Sequence, residues 1–92
     1  LIINTSEHKV TVKGKKLKLT PTEFDILYLL MKNKGRVFSI EQIYNLIWDE
    51  EYMKASSNTV MVHIRKLREK IEDDTSNPEY LKTEWGVGYK IE

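Results

Sequence analysis

Arg65, Lys66 and Arg68 fall within four residues of one another, with His63 and Lys70 close by and Asn58 and Thr59 a turn or two upstream. Cationic and amide side chains repeated at helical spacing present donors along one face, the chemistry that meets phosphate and base edges. Val62 lies among them. A branched aliphatic side chain facing water needs a use, and contact with a thymine methyl is one. The competing reading is a solvated helix face, but such a face more often alternates charge in helical pairs.

The element that positions these residues is Ser57 to Ile71, SNTVMVHIRKLREKI. Val60, Ile64, Leu67 and Ile71 recur at the spacing that buries one stripe of an α-helix. Asn58, Val62, Arg65, Lys66 and Glu69 then point outward, with Thr59, Met61, His63, Arg68 and Lys70 on the flanks.

Ninety-two residues with a net charge of +1 allow one modest core. Lysines cluster at Lys9 to Lys18 and basic residues again around the helix, while acids gather at Asp49 to Glu51 and at Glu72 to Asp74. Such segregation suits a domain with one face toward phosphate. There is no cysteine, so disulfides, thiol catalysis and cysteine-bound metals are excluded. The expected setting is a reducing cytoplasm, without a membrane span or signal peptide. His8 and His63 stand far apart, and no phosphate-cradling loop or catalytic carboxylate spacing accompanies them. An enzyme is not expected, nor a cofactor or a metal site.

In chain order, Leu1 to Asn4, Lys9 to Val12 and Lys15 to Leu19 read as a small antiparallel sheet joined by turns at Thr5-Ser6-Glu7 and Lys13-Gly14. Its lysines are expected to keep the edge wet. Thr20-Pro21-Thr22-Glu23 is a capping-box helix start, and Phe24 to Met31 supplies a centrally buried helix. Arg36 to Phe38 either pairs as a strand or links. Ser39 and Gln42 open a second helix that should reach about Trp48. A loop from Asp49 to Ser56 precedes the basic helix. Glu72 to Pro78 is turn-forming, and Tyr80 to Thr83 and Tyr89 to Ile91 form a hairpin with a Glu84-Trp85-Gly86-Val87-Gly88 tip. Gly86 and Gly88 are both expected to supply unusual backbone angles. The outline is α+β: a winged helix-turn-helix with an N-terminal antiparallel sheet, three helices and a C-terminal β-hairpin wing.

LTPTEF, TVMVHIRKLREKI and WGVGYKI, in this order, resemble the C-terminal effector domain of OmpR/PhoB-family response regulators across the whole chain. The tail TEWGVGYKIE and the Asn58-Thr59 helix start look most like the VanR branch. The resemblance implies bacterial, phosphorylation-controlled transcription, with promoter DNA as partner. It also implies a second copy on repeated half-sites and a cognate sensor kinase acting through an N-terminal receiver for which this chain has no room. A start at Leu1 agrees with a preceding domain.

Carried over by position, the implied DNA contacts are Asn58, Thr59, Val62, His63, Arg65, Lys66 and Arg68 on the helix, with Thr83, Trp85 and Tyr89 on the wing. Arg65 and Lys66 suit guanine O6 and N7, although Lys66 stands where several relatives carry arginine. His63 and Arg68 suit phosphate, the alternative for Arg68 being a helical pair with Glu72. Trp85 replaces an arginine common in relatives. It packs on sugar, donates its indole N–H to phosphate, or anchors the hairpin to the core. Tyr89 is either a phosphate contact or a core aromatic, and Trp48 either reaches phosphate or packs in the core. The loop at Glu50, Glu51 and Tyr52 corresponds to a segment through which some relatives contact RNA polymerase. The alternative function is a winged-helix protein–protein interaction module.

Overall fold

The computed structural model describes residues 1–92. Strands β1 (Ile2–Asn4), β2 (Lys9–Val12) and β3 (Lys15–Leu17) form an antiparallel sheet in which Ile3 pairs with Val10 and Val10 with Leu17. The third strand ends two residues earlier than the sequence suggests. The chain must leave the sheet to bring Thr20 into the extended conformation that caps α1 (Pro21–Lys32).

That cap is the expected box: the Glu23 amide donates to Thr20 Oγ1 at 3.2 Å and the Thr20 amide to Glu23 Oε1 at 3.0 Å. Ser39 and Gln42 reciprocate in the same way at the start of α2 (Ile40–Trp48). The segment after α2, expected as loop through Ser56, closes with a single 3-10 turn at Lys54–Ser56 that feeds directly into α3 (Ser57–Ile71).

Val60, Ile64, Leu67 and Ile71 of α3 are buried against Phe24, Ile26, Leu27 and Leu30 of α1 and Ile43 and Tyr44 of α2, as the stripe requires. Each such side chain contributes roughly 1.5–3 kcal/mol when taken out of water. The opposite face of α3 is thereby left free.

The hairpin of β4 (Leu81–Glu84) and β5 (Gly88–Ile91) packs Leu81 and Ile91 into the same core. Arg36 to Phe38 resolves as a link carrying one β-bridge: Phe38 and Tyr89 exchange hydrogen bonds of 2.8 and 2.9 Å. Gly86 has the positive φ expected of the tip, +78°. Gly88 does not; its role is close approach, since a Cβ there would lie 1.9 Å from the Phe38 carbonyl oxygen.

Two acids, Glu23 and Glu72, are buried inside the fold, which their local sequence does not signal. Glu23 is 2% exposed, and its Oε1 also accepts from Lys70 Nζ at 2.6 Å, joining the start of α1 to the end of α3. Burial pushes this carboxyl up, but the Lys70 ammonium and the Thr20 amide and hydroxyl outweigh it and hold the pKa below its ordinary value. A depressed folded pKa contributes stability above the unfolded carboxyl range and loses it as pH falls through the folded value. Lys70→Met leaves the carboxylate buried without its cation, so the variant should melt well below wild type at neutral pH. The gap should shrink in acid, where Glu23 is protonated in both proteins. Melting curves across pH test this, and a gap that stays constant into strong acid would rule out the ionic origin.

Candidate nucleic-acid interface

The outward face of α3 carries exposed Asn58, Met61, Val62, Arg65, Lys66 and Glu69. The ion pairs of the chain lie elsewhere, at Lys9–Glu7, Lys13–Asp73, Lys13–Glu79, Lys70–Glu23, Lys90–Glu84 and Lys90–Glu92. Arg65 and Lys66 are therefore uncommitted donors a turn below Val62, which remains 37% exposed. Lys70 is spent on Glu23, which shortens the basic face at its C-terminal end.

His63 and Thr59, half-buried, hold each other. His63 Nδ1 lies 2.7 Å from the Thr59 carbonyl oxygen, a geometry that puts a hydrogen on Nδ1 and leaves Nε2 as the other available ring nitrogen. The imidazole meets the Trp48 ring edge-to-face at 5.2 Å, and Trp48 stacks on Tyr44 at 5.2 Å. Tyr44 in turn meets Tyr52 edge-on at 6.0 Å and donates its hydroxyl to Glu50 at 2.9 Å. Trp48 is thus half-buried in an aromatic column that links α3 to the 49–56 loop. Of the three loop residues singled out, Glu50 and Tyr52 belong to that column and Glu51 points outward without an ion pair. Tyr44, four residues before Trp48, escaped sequence reasoning, although an i, i+4 aromatic pair is a readable signal.

Arg68 has long-range partners in the wing. Its Nε and Nη2 donate to the Leu81 carbonyl at 3.2 and 3.0 Å, and Nη2 donates to Thr83 Oγ1 at 2.6 Å. The guanidinium also sits over the Tyr89 ring, 5.4 Å from its centroid. Burial lowers its pKa, against the raising influence of Tyr89 and Glu72. Arg68 and Thr83 therefore form a bridge between recognition helix and wing, and Tyr89 packs beneath it. The helical pair of Arg68 with Glu72 does not form, because the Glu72 carboxylate is occupied by the amides of Glu79, Tyr80 and Leu81 at 2.7–3.2 Å. Trp85 is 89% exposed, which removes the reading that it anchors the hairpin to the core.

No helix is long and apolar enough to cross a membrane, and no cluster of three or more histidine or acidic side chains is placed to hold a metal ion. The arrangement is a projecting helix with free cationic donors and one aliphatic side chain, flanked by a wing fixed to it at Arg68.

Comparison with known proteins agrees with this geometry. The family described as transcriptional regulatory protein, C terminal, matches residues 14–91. Regulatory protein VanR of Enterococcus faecium is 54% identical over 92 residues, covering all of this chain and 40% of that protein. The chain thus spans about 40% of the length of this curated relative. Response regulator DrrB, the Thermotoga maritima OmpR/PhoB homolog, superimposes with a TM-score of 0.87 at 36% identity over 97% of this chain and 40% of its own. The Klebsiella pneumoniae RstA DNA-binding domain, solved in complex with the RstA box, superimposes with a TM-score of 0.88 at 25% identity, over 97% and 87% of the two chains. On the match over residues 14–91 and the shared winged-helix fold, the chain belongs to the OmpR/PhoB-type family of transcriptional regulatory protein C-terminal domains.

Proposed function

We propose that this domain binds double-stranded promoter DNA sequence-specifically, with α3 in the major groove and the wing on the adjacent backbone or minor groove. The observation that carries the reading is the pair of unpartnered donors, Arg65 and Lys66, beside exposed Val62 on a helix whose opposite face is buried. Arg65 and Lys66 meet guanine acceptors and Val62 a thymine methyl. His63, held by Thr59 and Trp48, lies toward phosphate, with Asn58, Thr59 and Trp48 along the same strand. Thr83 and Tyr89 act at the wing through the Arg68 bridge, and Nη1 of Arg68 is the nitrogen left to reach phosphate. The DNA complex of the RstA domain supports the mode.

In the full-length protein, the response-regulator relatives support an N-terminal receiver phosphorylated by a sensor kinase, cytoplasmic action, and two copies on repeated half-sites. The 49–56 loop, with outward Glu51 and a Met53 that is 69% exposed, is the surface offered to RNA polymerase.

Arg65→Ala or Lys66→Ala should relax discrimination at one base position by about 1–3 kcal/mol, whereas His63→Ala should weaken all sequences alike. Duplexes selected from random sequence, then titrated by anisotropy over a range of salt, test both. Uniform losses from all three variants would reassign the base readers. Binding that ignores salt would favour the protein-interaction reading, because DNA binding releases counterions.

A further inference from the structure

Glu50 is the acid of the 49–56 loop that the fold puts to use. α2 ends at Asp49 in the left-handed conformation, with φ +53°. This reversal brings Glu50 back to the preceding helix, where its Oε2 accepts the Tyr44 hydroxyl at 2.9 Å. It is the one side-chain hydrogen bond that joins residues 49–52 to the helices. Asp49 and Glu51, on either side, form neither an ion pair nor a side-chain hydrogen bond.

Tyr44 is buried, and a phenol so enclosed needs a partner for its hydroxyl. The bond to Glu50 therefore fixes how the ring lies in its slot. The Tyr44 and Trp48 rings stack nearly parallel, 11° apart, so a tilt of one is passed to the other. Trp48 meets His63 at 79°, an edge-to-face contact that lasts only while both rings keep their planes. The Thr59 carbonyl oxygen holds the imidazole at Nδ1, and Trp48 sets the plane of the ring. A carboxylate outside the recognition helix is thus joined through packed rings to a side chain on it.

We propose that Glu50 and Tyr44 are positioning residues for DNA binding: their hydrogen bond holds the Trp48 ring so that the His63 imidazole stays turned toward the phosphate it meets. This rests on the DNA reading above. Neither residue touches DNA; both act through Trp48 and His63. Coupling through packed rings is established by measuring it, and a cycle between the two ends of the column does so.

The test is a double-mutant cycle read by anisotropy on a duplex selected from random sequence by the wild-type domain. Tyr44→Phe keeps the ring and deletes the hydroxyl, and should lose about fivefold in affinity, the lower end of ordinary coupling between sites. In a His63→Ala background the same substitution should cost nothing further, whereas in an Arg65→Ala background it should still cost about fivefold. Glu50→Gln keeps an acceptor oxygen and Glu50→Ala does not, at equal net charge, so the first should bind about fivefold more tightly than the second. Glu50 is exposed, so this pair carries the test even if Tyr44→Phe does not fold. Equal losses from Tyr44→Phe with and without His63 would mean that the effect bypasses the imidazole, and the proposal fails. Equal binding by the two Glu50 variants would overturn it as well. If Arg65→Ala binds more weakly than wild type while Tyr44→Phe binds as wild type, the positioning role is wrong and the DNA reading stands. If wild type selects no duplex with salt-dependent binding, the DNA reading falls and the positioning role with it.

Discussion

Gly88→Ala should destabilise the domain by more than about 3 kcal/mol, the upper end of what overpacking ordinarily costs. The added Cβ would meet Phe38 O at 1.9 Å, Phe38 C at 2.6 Å and Ser39 Cα at 2.8 Å. All three are backbone atoms, so no side chain can turn aside to make room. The chain must instead separate where Phe38 and Tyr89 exchange their two hydrogen bonds, which detaches β5 from the link ahead of α2. For a domain of this size each kcal/mol moves the melting temperature by about 4–8 °C, so thermal denaturation followed by circular dichroism should show a fall of at least about 12 °C. Gly86→Ala is the matched control. It meets nothing within 4 Å and suffers only its φ of +78°, at a cost of about 1–2 kcal/mol. Equal melting of the two variants would show that close approach is not what position 88 requires.

The same position marks where sequence reading stops. Thr20 with Glu23 and Ser39 with Gln42 were legible because each cap is completed within three residues, and the bounds of α3 because its stripe repeats locally. Gly88 looked like a second turn glycine because the atom that excludes a side chain belongs to Phe38, fifty residues away in sequence. The link from Arg68 to the wing stayed hidden for a similar reason. Its acceptors, Leu81 and Thr83, lie on a strand whose distance from α3 no local pattern encodes. Lys70 and Glu23, each ordinary alone, become a buried pair only when α1 packs on α3.

Gly88 and Arg68 share a task, to hold the wing in place. The exposure of Val62, Arg65 and Lys66, proposed above as base readers, was legible from type and spacing, because a helical stripe that buries one face fixes which residues are left outside. The residues that fix the angle between helix and wing are the ones a sequence hides, because their partners are long-range by necessity. Arg68 supplies one such link near the middle of β4. A rigid angle matters to recognition, since a wing free to swing would lose ordering entropy on every binding event.

The second link is Glu72, and Glu72→Ala should cost about 3–5 kcal/mol. Its side chain is 8% exposed, and its two oxygens accept the amides of Glu79, Tyr80 and Leu81, the shortest bonds being 2.7 Å to Glu79 and 2.8 Å to Leu81. Its own amide donates to the Arg68 carbonyl at 2.9 Å, so the residue ends α3 while its carboxylate holds the entry to β4. Truncation leaves three backbone donors without an acceptor, each worth about 1–3 kcal/mol, with the Leu81 amide the most enclosed. Glu72→Gln keeps one acceptor oxygen but turns an amide donor toward other donors, so it should fall between wild type and alanine. Urea denaturation gives the size of the loss, and hydrogen exchange at residues 79–81 gives its place. Accelerated exchange should be confined to those amides and their β5 partners in Glu72→Gln, while the buried stripe of α3 stays protected. A loss below about 1 kcal/mol with unchanged exchange at 79–81 would mean that the carboxylate does not hold the wing. Because Arg65 and Lys66 are untouched, a folded Glu72→Gln domain should also retain its base preference while binding more weakly, separating the orientation of the wing from the reading of sequence.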